Sequence, residues 1–165
     1  MGAIHCSIPT KLADDLRRKY GLAVFVESGL GQGTTALWAE YRFDTVISIE
    51  TDGYSIEKFI ARNPKSKVVT IEGDSAIEMT RVIRVHLDNP ALFWLDGHTD
   101  DYAPILGELE AINLSLLANV IMIDDWRMFG TCAKWPSKEK VIAYATAHGR
   151  RWAYDVDDVL VVEPL

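Results

Sequence analysis

Val26-Glu27-Ser28-Gly29-Leu30-Gly31-Gln32-Gly33-Thr34-Thr35 is the stretch on which the reading of the fold turns. It follows a continuous apolar run of strand length, Leu22 to Val26, and leads into residues that open a helix carrying Trp38. Its glycines permit tight turning and close backbone approach to a ligand, and the helix start presents N–H groups without internal partners. A strand, a glycine turn and a helix in that order suggest a nucleotide-like ligand held at the strand's carboxyl end.

Outward from this turn the same alternation repeats. Upstream, Thr10 is a candidate cap for a first helix in which Leu12, Leu16 and Tyr20 recur at four-residue spacing, with Gly21 as its stop. Downstream, strands are expected at Thr45–Ile49, Lys67–Ile71, Ala91–Leu95 and Asn119–Ile123. Helices are expected at Tyr54–Arg62, Ser75–His86, Ile105–Leu117 and Lys138–His148, the last stopped by Gly149. Trp152 to Val162 is rich in β-branched residues but broken by Asp155, Asp157 and Asp158, which predicts a terminal hairpin with an acidic turn. Such alternation implies an α/β, Rossmann-like, doubly wound and mostly parallel sheet with helices on both faces and a C-terminal β-hairpin. Ligands then bind beyond the carboxyl ends of the strands. One domain over residues 1–165, with 1–21 as an N-terminal helical segment, is the expected organisation.

The glycine spacing narrows the ligand. A dinucleotide fold has Gly-x-Gly-x-x-Gly, whereas this turn runs Glu-x-Gly-x-Gly-x-Gly from Glu27 to Gly33. That pattern resembles motif I of class I S-adenosylmethionine-dependent methyltransferases. The resemblance implies that Glu27 helps hold the methionine ammonium group and that Gly29, Gly31 and Gly33 let the backbone pass against the cofactor. Glu50 ends the second strand, where a carboxylate can accept hydrogen bonds from both ribose hydroxyls, a logic shared with NAD-binding folds. Asp74-Ser75 follows the third strand, where this family contacts the adenine amino group. Taken singly, each glycine also fits an ordinary turn and each carboxylate a cap or solvated loop. Their occurrence at successive strand ends, in the family's order, carries the cofactor reading.

A second acidic group follows. The fourth strand ends in Asp96-Gly97-His98 and the fifth in Asp124-Asp125-Trp126, and strand ends that neighbour one another can bring these carboxylates together. Hard oxygen ligands suit magnesium or calcium. Asp-Gly-His followed by Asp-Asp is similar to the macrocin-type, magnesium-dependent sugar O-methyltransferases, over most of the chain from Ala23 to the end of the fifth strand. That resemblance implies Asp96, Asp124 and Asp125 as ligands of Mg2+ and a sugar-like or other small hydroxyl acceptor. Asp96 and His98 are the candidate catalytic residues; an imidazole can take a hydroxyl proton near neutral pH, and His98 equally fits a supporting hydrogen bonder or a plain loop residue. Asp124-Asp125 also fits a turn or helix cap. Asp100-Asp101-Tyr102 departs from the family's commoner glycine-bearing loop. Trp38, Trp94 and Trp152 read as core, while Trp126 and Trp135 flank the loop after the fifth strand at a candidate substrate mouth.

The composition limits partners. A formal net charge of -7 argues against a general grip on nucleic acid, with Arg150-Arg151 as a local basic patch only. Cys6 and Cys132 have neither zinc nor disulfide spacing, which fits a reducing cytoplasm. No apolar run approaches the roughly 18 residues that span a bilayer. Apolar positions on the first helix or the hairpin are candidate faces for a homo-oligomer. The expected activity is therefore methyl transfer from S-adenosylmethionine to oxygen, the alternative being a non-catalytic cofactor-binding or regulatory module of the same fold. A nicotinamide enzyme is the weaker third option, against which the glycine spacing speaks.

Overall fold

The structure is a computed structural model that describes residues 7–165. Met1–Gly2 and Cys6, together with the start of the expected N-terminal segment, lie outside the described residues. Helix α1 (Thr10–Tyr20) begins with Pro9, not Thr10, in the N-cap place; the Pro9 carbonyl accepts the Ala13 N–H. Gly21 closes α1 at φ 61, a left-handed position that glycine occupies without the Cβ penalty.

Seven strands follow in chain order: β1 (Val24–Ser28), β2 (Thr45–Glu50), β3 (Val69–Glu72), β4 (Ala91–Leu95), β5 (Val120–Ile123), β6 (Arg151–Val156) and β7 (Val159–Pro164). They form one sheet in the order β3-β2-β1-β4-β5-β7-β6. β1 to β5 are parallel, and the β6–β7 hairpin closes the far side antiparallel. The switch lies at β1, from which the chain winds outward both ways, as expected of a doubly wound sheet.

Helices α2 (Thr34–Glu40), α3 (Gly53–Arg62), α4 (Ser75–His86), α5 (Ile105–Ile112) and α6 (Lys138–Ala145) complete the architecture. Leu16, Ala36, Ala39, Ile56 and Phe59 bring α1, α2 and α3 to one face, over Phe25, Leu92 and Trp94. Met79, Val82, Leu109, Ile112 and Val141 bring α4, α5 and α6 to the other, over Val26, Phe93 and Ile121. The central strands are buried on both sides, which explains their unbroken apolar runs.

Several boundaries differ from expectation. β1 starts at Val24 and runs on through the buried polar pair Glu27 and Ser28, because its register with β2 and β4 continues through them. α5 ends at Ile112 rather than Leu117; Ser115 Oγ accepts the Leu117 N–H in a tight turn, and Leu114 and Leu116 are exposed. Trp152 is 44% exposed, not core: it stacks on Tyr154 along β6, the sheet's edge strand. Trp94 is buried as expected. The hairpin turn is acidic, with Asp157 at φ 48 and Asp158 at φ 66, the two left-handed central residues a tight two-residue hairpin needs. No helix among the described residues is long and apolar enough to cross a membrane.

Candidate functional site

The carboxyl ends of β1, β2, β3 and β4 surround a cleft of about 250 Å³, lined by Gly29, Gly31, Glu50, Asp74, Ser75 and Asp96 among others. Two turn glycines are needed where they stand. A Cβ on Gly29, at φ 87, would lie 3.1 Å from the Asp96 carbonyl oxygen, so the first and fourth strand ends could not come as close. A Cβ on Gly33, at φ 76, would fall 2.2 Å from the Phe59 ring, where α2 meets α3.

Glu50 stands at the tip of β2. Its carboxylate accepts the Gly31 N–H at 3.1 Å through one oxygen and the Asp52 N–H at 3.0 Å through the other. Asp74 caps α4, accepting the Ala76 N–H at 2.9 Å, and places Ser75 on the cleft wall. Tyr102, marked by the sequence only as part of an atypical loop, lines the same cleft; burial and then the adjacent Asp74 carboxyl raise its phenol. Glu27 is turned inward. It is 1% exposed, accepts a hydrogen bond from Ser48 Oγ at 2.7 Å, and is not among the residues lining the cleft. Burial pushes its carboxyl up to about 8, with the charges of Asp96 and Glu50 adding to the rise. Gly33 lies off the cleft, capping α2.

The acidic group gathers at the ends of β4 and β5. One ligand atom each from Asp96, His98 and Asp125 lies within 4.8 Å of the others. His98 Nε2 is 3.4 Å from Asp125 Oδ2, and Arg127 Nη2 is 2.9 Å from Asp125 Oδ1. Asp124 stands beside this trio rather than in it, and its Oδ1 accepts the Asp125 N–H at 2.8 Å. Asp125 takes a left-handed conformation at φ 53. Burial, then the charges of Asp124 and Asp125, raise the Asp96 carboxyl to about 7. Asp124 is raised as well, first by burial.

The loop after β5 folds over this cluster. Trp135 packs edge-on against His98 with centroids 5.2 Å apart, and Lys134 Nζ lies 3.4 Å from His98 Nδ1. Trp126 is buried against Phe129 instead. The hairpin tip holds the loop down: the Asp158 carbonyl accepts the Trp126 N–H at 2.9 Å, and Asp158 Oδ1 accepts the Arg127 N–H at 2.6 Å. Ser7 stands ahead of α1, its hydroxyl 3.4 Å from the Thr35 hydroxyl at the start of α2. Arg127 and Lys134 carried no sequence signal: Lys134 meets His98 across 36 residues of chain, and Arg127, though two residues from Asp125, belongs to no motif that marks the contact.

No family model matches this sequence, and no curated protein matches it by sequence. Solved structures do match in three dimensions. CalS10, an amino pentose methyltransferase from Micromonospora echinaspora solved with S-adenosylmethionine bound, aligns with a TM-score of 0.68 at 12% identity, over 94% of this chain and 89% of that one. An rRNA methylase from Streptococcus thermophilus aligns at 0.61 and 16% identity, over 98% and 99%. MycE, from the mycinamycin biosynthetic pathway and solved with Mg, S-adenosylhomocysteine and mycinamycin VI, aligns at 0.68 and 17% identity, over 94% of this chain and 49% of that one. Sheet order, helix placement and these alignments agree: the chain has the Rossmann-like fold of the S-adenosylmethionine-dependent methyltransferases.

Proposed function

We propose that the chain is an S-adenosylmethionine-dependent methyltransferase acting on an oxygen of a small, sugar-like hydroxyl compound with the help of a divalent cation. One observation carries this reading: Glu50, Asp74 and Ser75 share a cleft with Asp96 and His98, so cofactor-type and acceptor-type groups face one space.

The cleft fits an adenosine. Glu50 offers carboxylate oxygens to vicinal hydroxyls, Asp74 offers an acceptor for an exocyclic amine, and Gly29 and Gly31 leave the backbone bare between them. When bound, S-adenosylmethionine supplies an electrophilic methyl group on a sulfonium. The Asp96, His98 and Asp125 set fits Mg2+ by its hard oxygens, and its imidazole extends the choice to Mn2+. When bound, such a cation would polarise the acceptor hydroxyl.

The chain's own residues then have distinct tasks. Arg127 and His98 hold the Asp125 carboxylate from two sides, fixing it toward Asp96. Asp96 and His98, on the wall of the same cleft, are the groups that would take the hydroxyl proton. Trp135 supplies an apolar wall next to His98. In the overall transfer the acceptor oxygen gains the methyl group, the sulfur–methyl bond breaks, and the proton leaves to this cluster. The net charge of -7 supports a small acceptor over a nucleic acid. A reducing cytoplasm and assembly with a second copy belong to the same reading.

Calorimetric titration with S-adenosylhomocysteine, with Mg2+ present and chelated, tests the cofactor half. A screen of hydroxyl acceptors for S-adenosylhomocysteine release tests the transfer; cofactor binding without release from any acceptor, metal present, would replace the enzyme with a cofactor-binding module.

A further inference from the structure

Glu108 is a buried acid to which the chemistry above gives no task. It is 1% exposed on α5, and its Oε1 has no hydrogen-bond partner among the described residues. An apolar side chain of similar volume would occupy the position without stranding a polar atom, so packing alone does not account for an acid here. A buried oxygen without a protein partner is instead the mark of a water or an ion.

Glu108 shares a cavity of about 10 Å³ with Asp96, His98, Asp124, Asp125 and Trp135. Carboxyls crowded around so small a space repel one another when ionised, and a cation is what relieves them. Glu108 is nevertheless outside the set of Asp96, His98 and Asp125, whose ligand atoms lie within 4.8 Å of one another. Two oxygens bound to one Mg2+ at about 2.1 Å stand at most about 4.2 Å apart. An acid outside the set therefore meets the ion through a water, which extends its reach by a hydrogen bond of about 2.8 Å. The cavity has room for one water, with polar groups on its walls to hold it.

We propose that, given the cation reading above, Glu108 is a positioning residue for the metal: its Oε1 accepts a hydrogen bond from one water on the protein side of the ion and so holds the ion toward Asp96 and Asp125. Glu108 thereby adds to cation affinity without being a direct ligand.

Wild type, Glu108→Met and Glu108→Gln are compared by calorimetry with Mn2+, by calorimetry with S-adenosylhomocysteine in metal-free buffer, and by thermal melting. Methionine is unbranched and strands no oxygen, so Glu108→Met is expected to melt no lower than wild type. It should bind Mn2+ about 10-fold or more weakly, the loss usual for a partner one bond removed from the metal's own ligands. Glu108→Gln keeps an oxygen acceptor and should bind Mn2+ within about 3-fold of wild type. Glu108 does not line the cofactor-type cleft, so S-adenosylhomocysteine affinity should be the same in all three proteins. Ala103→Val narrows the same cavity with Glu108 in place, and should reproduce the weaker Mn2+ binding even if the methionine variant does not fold. Wild-type-like Mn2+ affinity in Glu108→Met or Ala103→Val overturns the role of Glu108 alone. So does a loss in Glu108→Gln as large as in Glu108→Met, or an equal loss of S-adenosylhomocysteine binding. Absence of Mn2+ binding by wild-type protein overturns the cation reading and the role of Glu108 with it.

Discussion

Glu50 Oε2 accepts the Gly31 N–H at 3.1 Å, so the acid at the tip of β2 and the glycine turn after β1 are held as one unit before any ligand arrives. Replacing Glu50 with Ala removes both this brace and the acceptor for vicinal hydroxyls. S-adenosylhomocysteine should then bind roughly 10-fold or more weakly, as expected for loss of hydrogen bonds to a charged group. Glu50→Gln keeps one acceptor and should fall between. Calorimetry on the three proteins reads this directly, and equal affinities would remove Glu50 from the site.

Gly33→Ala is a stability experiment. The new methyl group meets Phe59 at a left-handed backbone position, so strain and overpacking add, at roughly 2 to 4 kcal/mol. The melting temperature should drop by roughly 5 to 10 °C. Pairing it with Phe59→Leu should recover part of the loss; no recovery would mean that the backbone conformation, not the ring contact, dominates.

Cation binding should follow the protonation of Asp96. With its carboxyl raised to about 7, a cation must displace a proton below that pH, so affinity should rise as pH increases through it. Mn2+ titrations in buffers of different ionisation heat would show the released proton. Asp96→Asn and Asp125→Asn should each abolish binding, whereas Asp124→Asn, which keeps an acceptor for the Asp125 N–H and removes only a neighbouring charge, should weaken it less. Identical losses for all three would put Asp124 among the direct ligands.

The ligand-free protein should be more stable in mild acid than in mild base. Glu27, Asp96 and Glu108 all hold their protons more tightly folded than unfolded, at about 8, about 7 and about 7. Their contribution is complete below the unfolded carboxyl range of about 4 and is lost as pH rises through the folded values. Melting temperatures measured from about pH 5 to about pH 9 should therefore decline, and Glu27→Gln should flatten the upper part of that decline. A profile that rises over this range would contradict the burial of these acids.

The strand cores were legible because Val24–Val26, Ala91–Leu95 and Val120–Ile123 are buried on both faces and must be apolar throughout. Their ends were not, because Glu27 and Ser28 are polar residues that stay in the ladder by bonding Ser48 and Gly97 internally. The helix boundary at Ile112 was hidden for a related reason: Leu114, Leu116 and Leu117 continue an apolar pattern, while the Ser115 hydroxyl turns the backbone away. At the site, Glu50, Asp74 and Asp96 follow strands directly, so their positions are set by topology. His98 beside Asp125 and Lys134 beside His98 depend on side-chain packing across loops, which spacing along one chain does not encode.

The grip of Asp158 on the backbone of Trp126 and Arg127 makes the last hairpin the foundation of the side proposed for the acceptor. The cleft residues from Gly29 to Ser75 stand at the ends of strands that do not pair with that hairpin. Under the proposed function, the stretch from Asp124 to Asp158 can be remodelled to suit a different acceptor while the cleft at the other margin is left as it is. Divergence in this scaffold should accordingly be lopsided, conservative at one margin of the sheet and inventive at the other.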